Sequence, residues 1–179
     1  PDHSGAISLI KKYYPEIKLV GNKKTLDMVQ GFYGATSAND VMVKDGDTLS
    51  LGHHQLKFYL TPMLHWPETM MTYDETEHLL FSGDAFGCFG ALNGAVIDTQ
   101  MDTTPYFPEM ERYYATILGK FGAMVQAGLK KLAGVDIRTI CSTHGPVWTA
   151  QIPQVIETYR RLAMGETKQG LVICYGSMY

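Results

Sequence analysis

Five side chains able to hold a divalent cation stand at places where this chain turns from one element to the next. Asp2 and His3 come directly before a helical pattern. His65 lies in Leu-His-Trp-Pro, Asp84 in Phe-Ser-Gly-Asp-Ala-Phe-Gly, and His144 in Ser-Thr-His-Gly-Pro. Imidazole and carboxylate together suit iron, zinc or manganese, and the lack of cysteine at these positions argues against an iron–sulfur cluster or a Cys-rich structural zinc site. Two aspartates and three histidines exceed what one tetrahedral ion with an open position needs. A carboxylate has two oxygens and can bridge two cations, so the expected site is a two-metal site, with ions roughly 3.5–4 Å apart in such sites generally. The other histidines, His53 and His54 in a turn and His78 at the start of a strand, read as surface residues.

The elements that must position these groups alternate between helix and strand. Residues 4–14 read as a short helix with Ser4 as N-cap and Pro15 beyond its end. Residues 17–20 read as a strand and 23–33 as a second helix. A β-rich stretch follows, with runs at 40–43, 47–51 and 55–61. They are separated by Asp45-Gly46 and Gly52-His53-His54, whose turn chemistry predicts hairpins. Residues 70–73 and 78–82 form another candidate hairpin, and 85–104 are glycine-rich and irregular. Residues 105–132 predict two helices broken near Gly119 or Gly122; 137–141 a buried strand; 152–164 a helix with Pro153 in its first turn; and 171–175 a final strand. Each candidate ligand thus follows a strand or precedes a helix. In a layered α/β fold such positions converge on one edge of the sheets, where ligands bind.

Composition narrows the classes. Of 179 residues, 45% are hydrophobic and 18% charged, enough apolar surface for a real core. A formal net charge of −3 lacks the basic footprint of a nucleic-acid or anionic-membrane binder. No apolar run approaches the roughly 18 residues of a membrane span. Three widely spaced cysteines, Cys88, Cys141 and Cys174, suit a reducing compartment, so a cytoplasmic location is expected. Residue 1 is Pro and the last residues read as a strand entering a glycine turn, so the chain is expected to be the interior of a longer protein.

Taken together, Pro-Asp-His-Ser-Gly-Ala-Ile, Leu-His-Trp-Pro-Glu-Thr-Met, Phe-Ser-Gly-Asp-Ala-Phe-Gly and Ser-Thr-His-Gly-Pro-Val-Trp resemble the motifs of the flavodiiron proteins, or A-type flavoproteins. The spacing is similar as well, with 61 residues between His3 and His65, 18 between His65 and Asp84, and 59 between Asp84 and His144. The resemblance covers essentially the whole chain. It implies a metallo-β-lactamase-like αββα sandwich over residues 1–167 lacking its N-terminal part. Residues 168–179 then begin a flavodoxin-like domain. It also implies a ligand set of Asp2, His3, His65, Asp84 as the bridge, and His144, holding two non-haem irons. A His-x-Glu upstream of Pro1 would complete the family's motif. Val172-Ile173-x-Tyr175-Gly176-Ser177-Met178-Tyr179 looks like a first flavodoxin strand and phosphate loop, in which Ser177, Met178 and Tyr179 would meet FMN in the intact protein.

The resemblance further implies reduction of dioxygen to water or of nitric oxide to nitrous oxide, with electrons arriving from a rubredoxin-like donor through FMN. The assembly it implies is a head-to-tail homodimer or a dimer of dimers, without nucleic-acid or membrane partners. No catalytic residue beyond the metal ligands is expected. Trp66, Phe86 and Phe89 are candidates for an apolar shell around the site, and Tyr106, Phe107, Tyr113 and Tyr114 for packing or dimer surface. The competing reading is a zinc hydrolase of the metallo-β-lactamase superfamily, in which a metal-bound hydroxide attacks an ester, thioester or lactam.

Overall fold

A computed structural model describes residues 3–167 and 170. The elements run α1 (Ile7–Tyr13), β1 (Val20–Gly21), α2 (Lys23–Tyr33), β2 (Val41–Met42), β3 (Thr48–Ser50), β4 (Gln55–Leu60), β5 (Met70–Asp74), β6 (Leu79–Gly83), α3 (Tyr106–Tyr113), α4 (Gly122–Leu132), β7 (Thr139–Ser142) and α5 (Ile152–Ala163). A five-stranded sheet has the order β3-β4-β5-β6-β7, antiparallel except for the parallel β6–β7 pair. A second, two-stranded parallel ladder joins β1 to β2.

Side chains alternate across the large sheet. Met71, Tyr73, Leu80 and Ile140 face one way and meet α3, α4 and α5 in the main core. Helix α5 supplies Ile152, Val155, Tyr159 and Ala163, the stripe expected of a helix lying on a sheet. Paired register places Phe58, Thr72, Phe81 and Cys141 on the opposite face, where Phe58 is buried and Phe81 is half exposed.

Most predicted elements form within a residue or two, and the differences have local causes. α1 begins at Ile7 with Ala6 at its N-cap; the Ser4 carbonyl accepts the Ile7 amide, and the Ser4 hydroxyl pairs with the Tyr33 hydroxyl at 3.0 Å. Asp45-Gly46 does not close a hairpin, because β2 pairs in parallel with β1. The Gly46 amide bonds instead to the Phe58 carbonyl. The break after α3 is a π turn at Tyr114–Leu118 and a 3₁₀ turn at Gly119–Phe121. Gly122 then opens α4, where a Cβ would lie 2.9 Å from the Ala163 carbonyl oxygen. Asp2, residues 171–175, Ser177, Met178 and Tyr179 lie outside the described residues.

Candidate metal centre

Three loops and the approach to α1 meet at one edge of the large sheet. β6 ends at Gly83 and delivers Asp84. Next to it, β7 ends at Ser142 and delivers His144, with the Thr143 amide donating to the Gly83 carbonyl at 2.9 Å. The loop after Asp84 is held from both sides. The Ser82 hydroxyl donates to the Ala85 carbonyl at 2.7 Å, and the Gly87 amide to the Asp84 carbonyl at 3.2 Å. From the core, the Trp148 indole N–H reaches the Phe86 carbonyl and the Tyr159 hydroxyl the Gly87 carbonyl. Phe86 has φ +65°, a left-handed conformation that costs a branched-off Cβ roughly 1–2 kcal/mol and that these two bonds retain.

His144 is fixed through its backbone. Its carbonyl accepts the Ser142 hydroxyl at 2.6 Å and the Cys88 amide at 3.3 Å. Gly145 follows at φ +87°, where a Cβ would fall 2.3 Å from Cys88 Sγ, so only glycine fits. Burial, with the Glu109 charge adding to it, pushes the Cys88 thiol up to about 12. Cys88 is buried and packs as a neutral side chain against Gly145. His65 comes from the loop after β4, which is closed by the Thr61 amide to the Thr69 carbonyl and the Met63 amide to the Trp66 carbonyl. Leu64 is buried beneath it, and the Leu64–His65 peptide is cis. The Glu68 carbonyl accepts the Asn22 side-chain amide at 2.6 Å, tying this loop to the cap of α2.

These supports bring four of the five expected ligands together, and Asp84 sorts the histidines. Its Oδ1 lies 3.1 Å from His3 Nε2 and 3.5 Å from His144 Nε2, while its Oδ2 lies 3.1 Å from His65 Nε2. The donor atoms of His3, Asp84 and His144 all fall within 4.8 Å of one another. The carboxylate is largely buried, at 12% side-chain exposure, and Oδ1 also accepts the Thr143 hydroxyl at 2.9 Å. Three imidazoles around one shared carboxylate fit a borderline divalent cation, and histidines on both oxygens fit two ions with Asp84 between them. Beside Asp84 opens a cavity of about 240 Å³ lined by Met28, Phe32, Trp66 and Thr143, among others.

Of the expected apolar shell, Trp66 lines this cavity, Phe86 is core, and Phe89 meets Tyr113 edge-on at 5.1 Å. Tyr113 is buried, and its ring packs against His144 at 5.5 Å. Among the described residues His53 is exposed, and His54 is part-exposed and pairs with Asp74 at 2.7 Å. His78 sits in a left-handed turn with Nδ1 3.1 Å from the Tyr73 hydroxyl, less of a surface residue than its position suggests.

Two residues with clear roles carry no mark in the sequence reading. Thr143 stands one residue before His144 and could have been found in that motif. Asp98 could not, since its partners lie more than fifty residues on. Its buried carboxylate accepts the Thr149 hydroxyl and the amides of Thr149, Ala150 and Gln151, holding the segment that leads from Trp148 into α5. Burial alone would raise the Asp98 carboxyl, and these four donors bring it below its ordinary value.

The layered α/β fold with histidines and an aspartate gathered at the sheet edge defines a metallo-β-lactamase-like domain. More particularly, residues 1–145 match the family described as ODP family beta lactamase, and the chain belongs to that family. Among its relatives, the nitric oxide reductase of Moorella thermoacetica is 34% identical over 99% of this chain and 45% of its own length. The anaerobic nitric oxide reductase flavorubredoxin of Salmonella arizonae is 33% identical over 99% of this chain and 37% of its own length. Among solved structures, the flavodiiron protein of Giardia intestinalis shares 31% identity with a TM-score of 0.83, covering 90% of this chain and 40% of that one. The rubredoxin oxygen:oxidoreductase of Desulfovibrio gigas shares 26% identity with a TM-score of 0.84, over 90% and 41%. The flavodiiron resemblance of the four motifs is met, and the chain spans less than half the length of the relatives it matches.

Proposed function

We propose that this chain is the diiron-binding part of a flavodiiron oxidoreductase that reduces nitric oxide to nitrous oxide, dioxygen to water, or both. The observation that carries the proposal is the division of the histidines over the two oxygens of Asp84. On this reading Asp2, His3 and His144 serve one iron, His65 serves the other, and Asp84 is shared. Two irons held by these residues would offer open positions for a small diatomic molecule and would pass on electrons received from the donor through FMN. The chain's own residues orient and shelter that chemistry. Thr143 fixes the rotation of the Asp84 carboxylate, and Tyr113 packs along the His144 ring. The largely apolar cavity walls of Met28, Phe32 and Trp66 suit an uncharged gas better than an ester or lactam carrying charge. That feature, with the names of the relatives, weighs against the zinc hydrolase.

Residues 1–167 are proposed as the metal domain and 168–179 as the start of an FMN-binding domain, with Ser177, Met178 and Tyr179 at the flavin phosphate. A rubredoxin-like donor, a homodimer and a cytoplasmic location complete the reading. Among the described residues no helix is long and apolar enough to cross a membrane. The test loads the full-length protein containing this chain with iron and FMN under anaerobic conditions, supplies a chemical reductant, and adds nitric oxide or, in a separate assay, dioxygen. Nitrous oxide formed from nitric oxide, or dioxygen consumed to water, with iron bound and flavin absorbance present supports the proposal. Bound zinc with ester or lactam hydrolysis and no gas turnover contradicts it.

A further inference from the structure

His3 reaches Asp84 from the turn that leads into α1, a helix with little hydrophobic attachment. α1 contains no buried residue, and Leu9, Ile10, Tyr13 and Tyr14 are all exposed. Helices in folded domains are usually held by an apolar face; here Ile7 is half-buried, and polar contacts supply the remaining attachment among the described residues. Lys11, on its last turn, places Nζ 3.1 and 3.3 Å from the two carboxylate oxygens of Asp40. Asp40 stands immediately before β2 and is itself immobilised. It accepts the Leu19 amide at 2.9 Å, the Ser37 amide at 2.7 Å and the Ser37 hydroxyl at 3.0 Å. The two side chains are only 14% and 3% exposed. An exposed pair of this kind would contribute little, but a buried one leaves an uncompensated charge when broken. Backbone bonds from Ile10 to Ala6 and from Ile7 to Ser4 carry the anchor back along the helix to the residue next to His3.

We propose that the Lys11–Asp40 ion pair is the positioning element of His3, and that through His3 it sets the affinity of the Oδ1 side of the centre for its ion. The inference rests on the reading of His3 as a metal ligand. It gives α1 a role that none of the four motifs assigns: the helix is a polar arm that presents a ligand, and its anchor Asp40 lies 37 residues beyond that ligand in sequence.

The test compares Lys11→Met and Asp40→Asn with Lys11→Arg in the otherwise unaltered protein. Cobalt(II) is the probe, its d–d absorbance reporting the ligand set, and hydrogen exchange of β-sheet amides confirms the fold. Both disruptive variants should bind cobalt(II) roughly 10-fold more weakly and with an altered spectrum, the range typical of lost outer-sphere support. Lys11→Arg should restore most of both. Unchanged affinity and spectrum in Asp40→Asn, with faster exchange in α1, would overturn the proposal, since the helix would then be loosened without moving His3. If the unaltered protein takes up no cobalt(II), the metal reading fails by itself. The ring contact of His3 with His144, 5.1 Å in the structure, is then followed by NMR without metal. Its loss in Asp40→Asn and recovery in Lys11→Arg supports the positioning role, and its retention in Asp40→Asn rejects it.

Discussion

The ligands of the centre are held in two ways, three on a rigid side of the fold and one on an arm. His144 and Asp84 hang from adjacent parallel strands, and the loops around them are bonded to Trp148 and Tyr159, both fully buried. His65 stands on a tight loop over the buried Leu64. His3 alone arrives on the turn before a helix with no fully buried residue, which is held in part by polar contacts. Core packing is dense and tolerates little displacement, so the first three are fixed by the fold itself. A polar arm depends on a few charge-assisted bonds and responds to pH and to single substitutions. Three ligands are therefore expected to behave as part of the folding unit and the fourth as an adjustable addition.

The largest expected effect is on the rigid side. Gly145→Ala combines a left-handed φ with a Cβ driven into Cys88 Sγ. It should cost about 4 kcal/mol of stability, from backbone strain and overpacking together, measured by urea unfolding. A cost below about 1 kcal/mol would mean that this loop yields, and the contrast drawn here would fall.

Asp84→Asn acts on both sides at once. It keeps the shape, removes the charge and replaces one shared oxygen with an amide nitrogen. Metal affinity should drop roughly 100-fold, at or beyond the upper end of what outer-sphere losses produce. Calorimetric titration with iron(II) under anaerobic conditions reads it.

Acid should separate the sides in the metal-free protein. Burial would raise the Asp40 carboxyl, but the Leu19 and Ser37 amides and Lys11 outweigh it and bring it down to about 2 from 3.8. A carboxyl lowered on folding contributes stability that is complete above its unfolded value and is lost as pH falls through its folded one. The contribution should therefore be full above pH ~4 and disappear towards pH ~2. Amide protection in α1, relative to the intrinsic exchange rate at each pH, should fall across that window more than protection in α4. An equal fall in both helices would show that α1 is no separate arm.

The smallest effect concerns one hydrogen bond. Thr143→Val removes the hydroxyl from Asp84 Oδ1 while conserving volume. Affinity for the ion on that side should fall about 10-fold, with little change in thermal midpoint.

Legibility from sequence follows the same division. The rigid side was readable because its ligands sit in compact motifs at strand ends, where turn residues and apolar runs mark the boundaries: Gly83-Asp84 after 78–82, and His144 after 137–141. The convergence of His65, Asp84 and His144 follows from sheet order, which sequence periodicity suggests but does not fix. The polar arm was not readable. Lys11 and Asp40 look like ordinary surface charges, and their pairing depends on a parallel β1–β2 ladder where turn chemistry predicted a hairpin. Ser4 looked like a helix cap and instead bonds Tyr33, a choice made by tertiary geometry. Asp98 was invisible for the same reason, its donors lying on a distant loop.

The central claim is that Asp84 divides the histidines between two ions. Anomalous diffraction at the iron edge from crystals of the anaerobically iron-loaded protein tests it most directly. The account predicts two peaks flanking the Asp84 carboxylate, one within bonding distance of His3 and His144 and the other of His65. A single ion chelated by both Asp84 oxygens, or iron bound away from Asp84, would contradict it.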